Sequence, residues 1–278
     1  MEIAILLTTY NSAVFLEDLL RSVQNQSWKE WNLYIHDDLS TDTTINVIER
    51  FMQSDKRIHL LDDGVKRGAM QSFMWLLDKV HADFYMFCDH DDVWKSNKIE
   101  ITLKNMLKLS EHNDRPLIVH TDLEVVDVSL NPIASSFWKY LNVKEKDFND
   151  KYYHLAYNNV TGCTMMINNK AKDVSLPVHY RAQMHDSWIT ASVLWHDGII
   201  LSVPYQTILY RQHGKNTIGA NELPKFIDKF HSLRKLVQKT NRQAEVAESL
   251  AGMNRICFWL IKMYYMFRIY LRDTFAQK

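Results

Sequence analysis

Apolar and polar positions fall into repeating blocks through the first ninety-odd residues. Ile3–Leu7 is wholly apolar and stops at Thr8-Thr9-Tyr10-Asn11. Trp31–His36 alternates apolar and polar side chains, and Ile58–Leu61 is a short third run. Phe84–Cys88 is aromatic, uncharged and ends abruptly at Asp89-His90-Asp91-Asp92. Runs of this length, bounded by turn residues, predict buried strands. Between them lie apolar residues at helical spacing: Phe15, Leu19, Leu20 and Val23; Ile45, Ile48, Phe51 and Met52; Phe73, Met74, Leu77 and Val80. Asn11 or Ser12 suits the N-cap of the first helix, and Asp63–Gly68 has the composition of a loop.

The second half continues less regularly. A helix is expected over Ser96–His112 and a strand over Leu117–Thr121, followed by an antiparallel excursion through Asp122–Asp127 and the turn at Ser129–Pro132. Phe137–Tyr157 has no clean period. Asn159–Ile167 suggests a turn into a strand, and His185-Asp186 opens a helix continued by Ile189, Val193 and Leu194. Ile199–Val203 is expected as the last core strand, ending before Pro204, with Leu209–Asn216 a polar segment.

Strand–helix alternation implies right-handed βαβ units and a mainly parallel sheet. Such sheets bind ligands outside the carboxyl ends of their strands. That rule collects Thr8–Asn11, Asp37–Asp42 and Asp89–Asp92 along one rim.

Composition narrows the class. At 278 residues, 46% hydrophobic and 24% charged, the chain has the make-up of a globular protein with a sizeable core. Lys+Arg and Asp+Glu balance at 33 each, so no global field points to nucleic acid. Cys88, Cys163 and Cys257 form no Cys-x-x-Cys pair, which fits a reducing, cytoplasmic compartment and excludes a cysteine-based zinc site. The N-terminus lacks the basic region of a secretory signal.

Asp89 and Asp91 present two hard oxygen donors one residue apart. That pattern suits Mg²⁺ or Mn²⁺, which takes one or two carboxylates and completes its shell with water and substrate phosphates. Most isolated Asp-x-Asp triplets are solvated acidic turns; the place of this one, at the end of a buried strand, sets it apart.

Taken in order, Thr8-Thr9-Tyr10-Asn11, Asp37-Asp38-Leu-Ser40-Thr-Asp42, Asp89-His-Asp91-Asp92-Val-Trp94 and His185-Asp186-Ser-Trp188 resemble the motifs of family 2 glycosyltransferases, inverting enzymes with the GT-A fold. Asn159-Val-Thr-Gly-Cys-Thr and Tyr210-Arg-Gln-His213-Gly are similar to segments of the bacterial rhamnosyltransferase-like branch. The resemblance covers roughly residues 2–218. It implies a GT-A catalytic domain over 1–218, with a nucleotide-sugar-binding half (1–94) and an acceptor-binding half (95–218). A helical C-terminal extension (219–278) lies outside it.

The resemblance also implies roles. Tyr10 would stack on the nucleotide base, Asp38 would accept from its ring N–H, and Thr8 would lie nearby. Arg67 would reach the phosphates. Asp89 and Asp91 would hold Mn²⁺ or Mg²⁺, Asp91 more directly, with His213 completing the site. Asp92 would orient sugar hydroxyls or cap the next helix. Asp186 would be the general base, with His185 and Trp188 contacting the acceptor. Blander uses stand beside these: local packing for Tyr10 and Trp188, loop amides for Asp37, caps for Asp42 and Asp186, structural roles for Arg67 and His213. The implied reaction moves a sugar from dTDP-rhamnose or a UDP-sugar to a saccharide or lipid-linked acceptor in bacterial surface polysaccharide synthesis.

Other classes fit less well. In haloacid-dehalogenase-type phosphohydrolases the Asp-x-Asp triplet follows the first strand, whereas here it follows the fourth. A nucleotidyltransferase needs a Gly-rich basic loop where Thr8-Thr-Tyr-Asn stands. An EF-hand loop is broken by Val93-Trp94. A non-catalytic sugar-nucleotide-binding protein is the remaining alternative.

Over residues 224–242, Lys225, Lys229, Arg234, Lys235, Lys239 and Arg242 face Asp228 alone, and Ile256–Arg272 is aromatic-rich with spaced cations. Residues 224–272 therefore suggest peripheral contact with an anionic membrane, at the inner face of the cytoplasmic membrane. A hairpin packed on the catalytic domain, or a homodimer interface, are the other uses of this pattern.

Overall fold

The structure, a computed structural model, describes residues 1–144, 147–213 and 229–275, the side chains of 229–234, 273 and 275 excepted. In chain order the elements of the first half are β1 (Ile3–Thr9), α1 (Ala13–Gln24), β2 (Asn32–Asp37), α2 (Thr44–Ser54), β3 (Ile58–Leu60), α3 (Ala69–Lys79), β4 (Phe84–Cys88), β5 (Val93–Trp94) and α4 (Lys98–Ser110). The second half adds β6 (Leu117–Val126), β7 (Pro132–Ala134), α5 (Phe137–Tyr140), α6 (Lys151–Ala156), β8 (Met165–Asn168), α7 (Asn169–Ser175), α8 (His185–Trp195), β9 (Ile199–Arg211), α9 (Lys229–Ala251) and α10 (Arg255–Phe275).

The strands form one sheet in the order β3-β2-β1-β4-β8-β6-β9-β5, with β7 paired to β6. It is mostly parallel: β1 to β4, β6 and β9 run one way, while β8, β5 and β7 oppose them. Alternation along β1 splits the core in two. Ile3, Ile5 and Leu7 pack with α1, α2 and α4 on one face, and Ala4 and Leu6 with α3, α7 and α8 on the other. The result is a helix–sheet–helix sandwich of the GT-A type.

Register positions the rim. Thr9 pairs with Asp37 and Leu7 with Cys88, so β1, β2 and β4 finish at one level. The loops that begin at Tyr10, Asp38 and Asp89 therefore open side by side.

Two expectations need correction. Pro204 does not end the last strand: β9 continues to Arg211. Thr121 pairs with Val203 and Asp122 with Gln206, leaving Pro204 and Tyr205 exposed in a bulge where no ladder N–H is needed. Asp122–Val126 likewise stays in strand β6, and the antiparallel excursion begins only at β7. The aperiodic 137–157 stretch holds two short helices. Ser136 accepts from Lys139 N at the start of α5, and Asp150 accepts from Tyr152 N and Tyr153 N at the start of α6.

The C-terminal helices form a hairpin packed on α6 and α8. Ala244, Ala247 and Phe258 meet Leu155 and Ala191, and Tyr265 meets Tyr153 and Ala156. Burying a side chain such as Phe258 contributes about 1.5–3 kcal/mol. The Tyr265 hydroxyl donates to Asp150 at 2.5 Å, and Arg268 pairs with Asp147. On the opposite side of α10, Ile256, Leu260, Met263, Tyr264 and Phe267 form an exposed apolar stripe. Among the described residues no helix is long and apolar enough to cross a membrane. The side chains of Lys225, Asp228, Lys229 and Arg234, the end of the polar segment at Gly214–Asn216, and the 218/219 boundary lie outside the described residues.

Candidate active site

A cleft of about 1800 Å³ lies along the carboxyl edge of the sheet and brings together Thr8, Tyr10, Asp38, Asp89, Asp91, Asp186 and His213. Residues more than two hundred positions apart, such as Thr8 and His213, thus share one cavity. Tyr10 is 46% exposed at its mouth, with the Lys66 ammonium 3.9 Å over its ring. Asp38 is buried and accepts from the backbone N–H groups of Arg67 and Gly68, so it holds the next loop against the rim. Asp37 accepts from the Thr9 hydroxyl and from Ser40 N and Oγ, the loop-bracing use expected of it. Asp42 accepts from Thr44 N and Ala13 N, tying together the starts of α1 and α2.

The acidic centre is built by β4 and closed by β9. His213 Nε2 lies 2.9 Å from Asp91 Oδ2, and its ring stacks on Phe15 at 5.0 Å. Just upstream, buried Arg211 clamps the turn: its Nε donates to Asp91 O (2.9 Å), its Nη1 to Val128 O (2.7 Å) and its Nη2 to Asp18 (2.9 Å). Burial, reinforced by the charges of Asp91 and Asp186, pushes the Asp89 carboxyl up to about 7. Carboxylates crowded in this way disfavour one another's ionisation and are relieved by a cation. Two carboxylates and an imidazole at the cleft surface fit Mn²⁺ or Mg²⁺ in ligand type and number. Asp89, Asp92 and Cys163 also lie within 4.8 Å of one another. Asp92 and Cys163 face the core, however, and burial raises both pKa values well above normal, which keeps them as protonated hydrogen-bonding neighbours.

Four expected ligand contacts are displaced by packing. Asp92 is 0% exposed and accepts from Arg211 N at 3.2 Å, so it cannot reach sugar hydroxyls; nor does it cap α4, whose N-cap is Asn97. The Arg67 guanidinium pairs with Asp63 and covers Trp75 at 4.6 Å, leaving Lys66 as the basic side chain of that loop on the cleft. Trp188 is core: its Nε1 donates to Ser175 O at 2.7 Å. His185 is wedged between Phe73 (4.1 Å) and Phe87 (5.1 Å), and neither ring nitrogen has a hydrogen-bond partner. Burial draws its pKa down to about 3, so it remains neutral. Both residues line the cleft, but the ring nitrogens of His185 are buried and only 7% of Trp188 is open to it.

Asp186 begins α8 and remains at the cleft. It accepts from Ser187 N at 2.5 Å and from Gly162 N, and burial pushes its carboxyl up to about 6. Gly162 belongs to the short turn 162–164 before β8. A Cβ there would meet His185 Nε2 at 2.3 Å, so glycine allows the turn to close over the ring and reach Asp186.

Sequence reasoning overlooked Arg211, Gly162 and Cys163. Arg211 had a signal: it alternates with His213 in the Arg-Gln-His run, on the strand that reaches the acidic turn. Buried Lys98, whose pKa desolvation lowers to about 8, lies near Asp92 and carried no such signal.

The profile of one protein family, glycosyl transferase family 2, matches residues 4–174. The dTDP-rhamnosyl transferase RfbG of Shigella flexneri is 29% identical over 248 residues, 77% of this chain and 74% of that protein. The Escherichia coli enzyme WfgD is described as a UDP-Glc:alpha-D-GlcNAc-diphosphoundecaprenol beta-1,3-glucosyltransferase. It is 33% identical over 106 residues, 38% of this chain and 41% of that one. The chain thus spans between 41% and 74% of the length of these curated relatives. The crystal structure of S. aureus TarS 1–349 shares the fold, with a TM-score of 0.60 at 15% identity, over 94% of this chain and 69% of that one.

Proposed function

The chain belongs to glycosyl transferase family 2, and from that premise we propose that it is an inverting glycosyltransferase of bacterial surface polysaccharide synthesis. Its donor is a nucleotide-diphosphate sugar, dTDP-rhamnose or a UDP-sugar, and its acceptor a saccharide or lipid-linked hydroxyl. The observation that carries this reading is the meeting of Asp91 and His213 at 2.9 Å in a cleft that also holds Tyr10, Asp38 and Asp186.

In this reading Tyr10 offers a face to the base while Asp38 fixes the loop beside it. Lys66 stands where a diphosphate would pass. Asp89, Asp91 and His213 hold Mn²⁺ or Mg²⁺, which when bound supplies positive charge for the departing diphosphate. Asp186 takes the proton of the acceptor hydroxyl as it attacks the anomeric carbon from the face opposite the leaving group. A carboxylate so placed contributes roughly 10²–10⁴-fold. Its raised pKa brings it closer to the alkoxide it must help generate, yet still leaves it ionised at neutral pH. Co-binding of donor and acceptor in one cleft removes part of the remaining barrier.

A thermal-shift panel of nucleotide diphosphates and nucleotide sugars, with and without Mn²⁺, tests the donor half. Metal-dependent stabilisation is expected, and its absence for every nucleotide sinks the reading. The anomeric configuration of the product tests inversion.

The α10 stripe supplies the membrane contact. Ile256, Leu260, Tyr264 and Phe267 recur at helical spacing, and Lys235 and Arg242 lie on the neighbouring helix. Apolar and aromatic contacts flanked by cations suit an anionic bilayer surface. Flotation with anionic vesicles should carry the protein upward, and Leu260→Glu/Phe267→Glu should leave it at the bottom. Equal flotation of both proteins, or a stable dimer lost in the variant, would remove the membrane contact.

A further inference from the structure

A second group of metal-ligating side chains lies just beyond the end of β3, and none of its members lines the cleft. One ring nitrogen of His36 and one carboxylate oxygen each of Asp62 and Asp63 lie within 4.8 Å of one another. His36, on β2, is 0% exposed, and its ring packs on Trp75 of α3 at 4.9 Å. Asp62 and Asp63 are exposed and open the loop that leads to α3.

The two carboxylates alone would be an ordinary acidic turn; the histidine sets them apart. His36 Nδ1 lies 3.3 Å from Leu61 O, and in donating there it leaves the ring's lone pair on Nε2. Nε2 is buried and has no hydrogen-bond partner among the described residues. A bare nitrogen inside the fold carries a desolvation cost that a cation removes. An imidazole held through its other nitrogen by a backbone carbonyl is also how proteins orient a metal-ligating histidine. The Arg67 guanidinium holds both Asp63 oxygens, as outer groups hold a ligating carboxylate. Its charge weakens the site without removing a ligand, since each carboxylate oxygen keeps a further lone pair. Ligand type selects the ion: one imidazole and two carboxylates suit Zn²⁺, whereas Mg²⁺ and Ca²⁺ favour oxygen alone. Ligands about 2.1 Å from a tetrahedral ion stand roughly 3.4 Å apart, so the exposed Asp62 and Asp63 reach it by side-chain rotation.

We propose that His36, Asp62 and Asp63 bind a Zn²⁺ ion, with water in the fourth position, at a site separate from the acidic turn. The two carboxylates begin the loop whose far end, Arg67 N and Gly68 N, donates to Asp38. The same loop carries Lys66 to the Tyr10 ring. With an ion joining its start to His36 on β2, the loop is tied to the sheet at both ends. The ion braces the rim and takes no part in the chemistry, so the inference stands apart from the transferase reading.

Isothermal titration of Zn²⁺ into the metal-stripped full chain tests the site, in an Asp91→Asn/His213→Ala background that disables the acidic turn. One ion should bind, and X-ray absorption at the zinc edge should show both nitrogen and oxygen ligands. Adding Asp62→Asn should weaken that ion at least tenfold. Asp62 is exposed, and the new amide oxygen can still accept from Gly64 N, so folding is not at risk. His36→Gln should abolish binding, while Glu111→Gln, an exposed carboxylate after α4, should leave it unchanged. Zn²⁺ should also raise the Tm of the background protein and leave that of its Asp62→Asn derivative nearly unmoved. No binding in the background protein, or equal affinity after Asp62→Asn, overturns the site. Displacement of the zinc by equimolar Mg²⁺ overturns the histidine as a ligand.

Discussion

The sheet edge and the helical wall face each other across one cleft, but they are built by different means. At the edge, backbone register does the placing. Leu7 opposite Cys88 and Thr9 opposite Asp37 bring three loops to one level before any side chain is chosen. At the wall, long side chains from α9 and α10 reach inward from helices held by a few apolar contacts and by polar ties such as Tyr265–Asp150 and Arg268–Asp147. A site that must position reacting atoms belongs on the first kind of scaffold.

Substitutions should respect that division. Asp91→Asn is expected to have the largest effect, abolishing transfer and metal-dependent nucleotide stabilisation while circular dichroism stays native. Full activity in this variant would mean the acidic turn has been misassigned. Asp186→Asn should lower kcat by roughly 10²–10⁴ and leave nucleotide binding intact. A fall confined to KM would move Asp186 from chemistry to binding.

The same substitution should also stabilise the fold. The Asp186 pKa is raised to about 6, so the folded state holds its proton more tightly than the unfolded chain. That stabilising contribution is present below the ordinary carboxylate pKa and is lost as pH rises through about 6. In EDTA, the Tm gain of Asp186→Asn should therefore be greatest near pH 8 and vanish near pH 4. Wild-type kcat should fall on the acid side of about pH 6, and a flat profile would count against the carboxylate as base.

Arg211→Met comes next. It removes the clamp behind Asp91 without touching the ligands, and metal affinity should drop about 10–100-fold, the usual cost of losing an outer-shell partner. An unchanged metal titration would show that register alone holds the turn. Gly162→Ala should be the mildest in rate but costly to the fold, by about 1–3 kcal/mol, because the new methyl collides with His185. Chemical denaturation measures it.

The same contrast explains what the amino-acid pattern revealed. The front half was legible because buried parallel strands leave uninterrupted apolar runs, and because the rim rule then predicts where Tyr10, Asp38 and Asp91 meet. The back half was less so. Pro204 masked the continuation of β9 because a bulge excuses a missing N–H, which local pattern alone does not reveal. Arg67, Asp92, His185 and Trp188 sit in motif positions but are claimed by packing partners outside those motifs: Trp75, Arg211, Phe87 and Ser175, the second and third of them about a hundred residues away in the chain. A motif identifies a residue's address in the chain; its partners decide whether it faces ligand or core.

Arg211 has one more consequence. Its guanidinium joins Asp18, Asp91 and Val128, and the Asp91 carbonyl that accepts from it lies 120 residues earlier in the chain. During synthesis, the acidic turn therefore leaves the ribosome long before the residue that secures it. Until β9 has been made and inserted, the Asp91 carbonyl lacks the guanidinium that holds it. The last core strand of the sheet is thus the piece that completes the acidic turn.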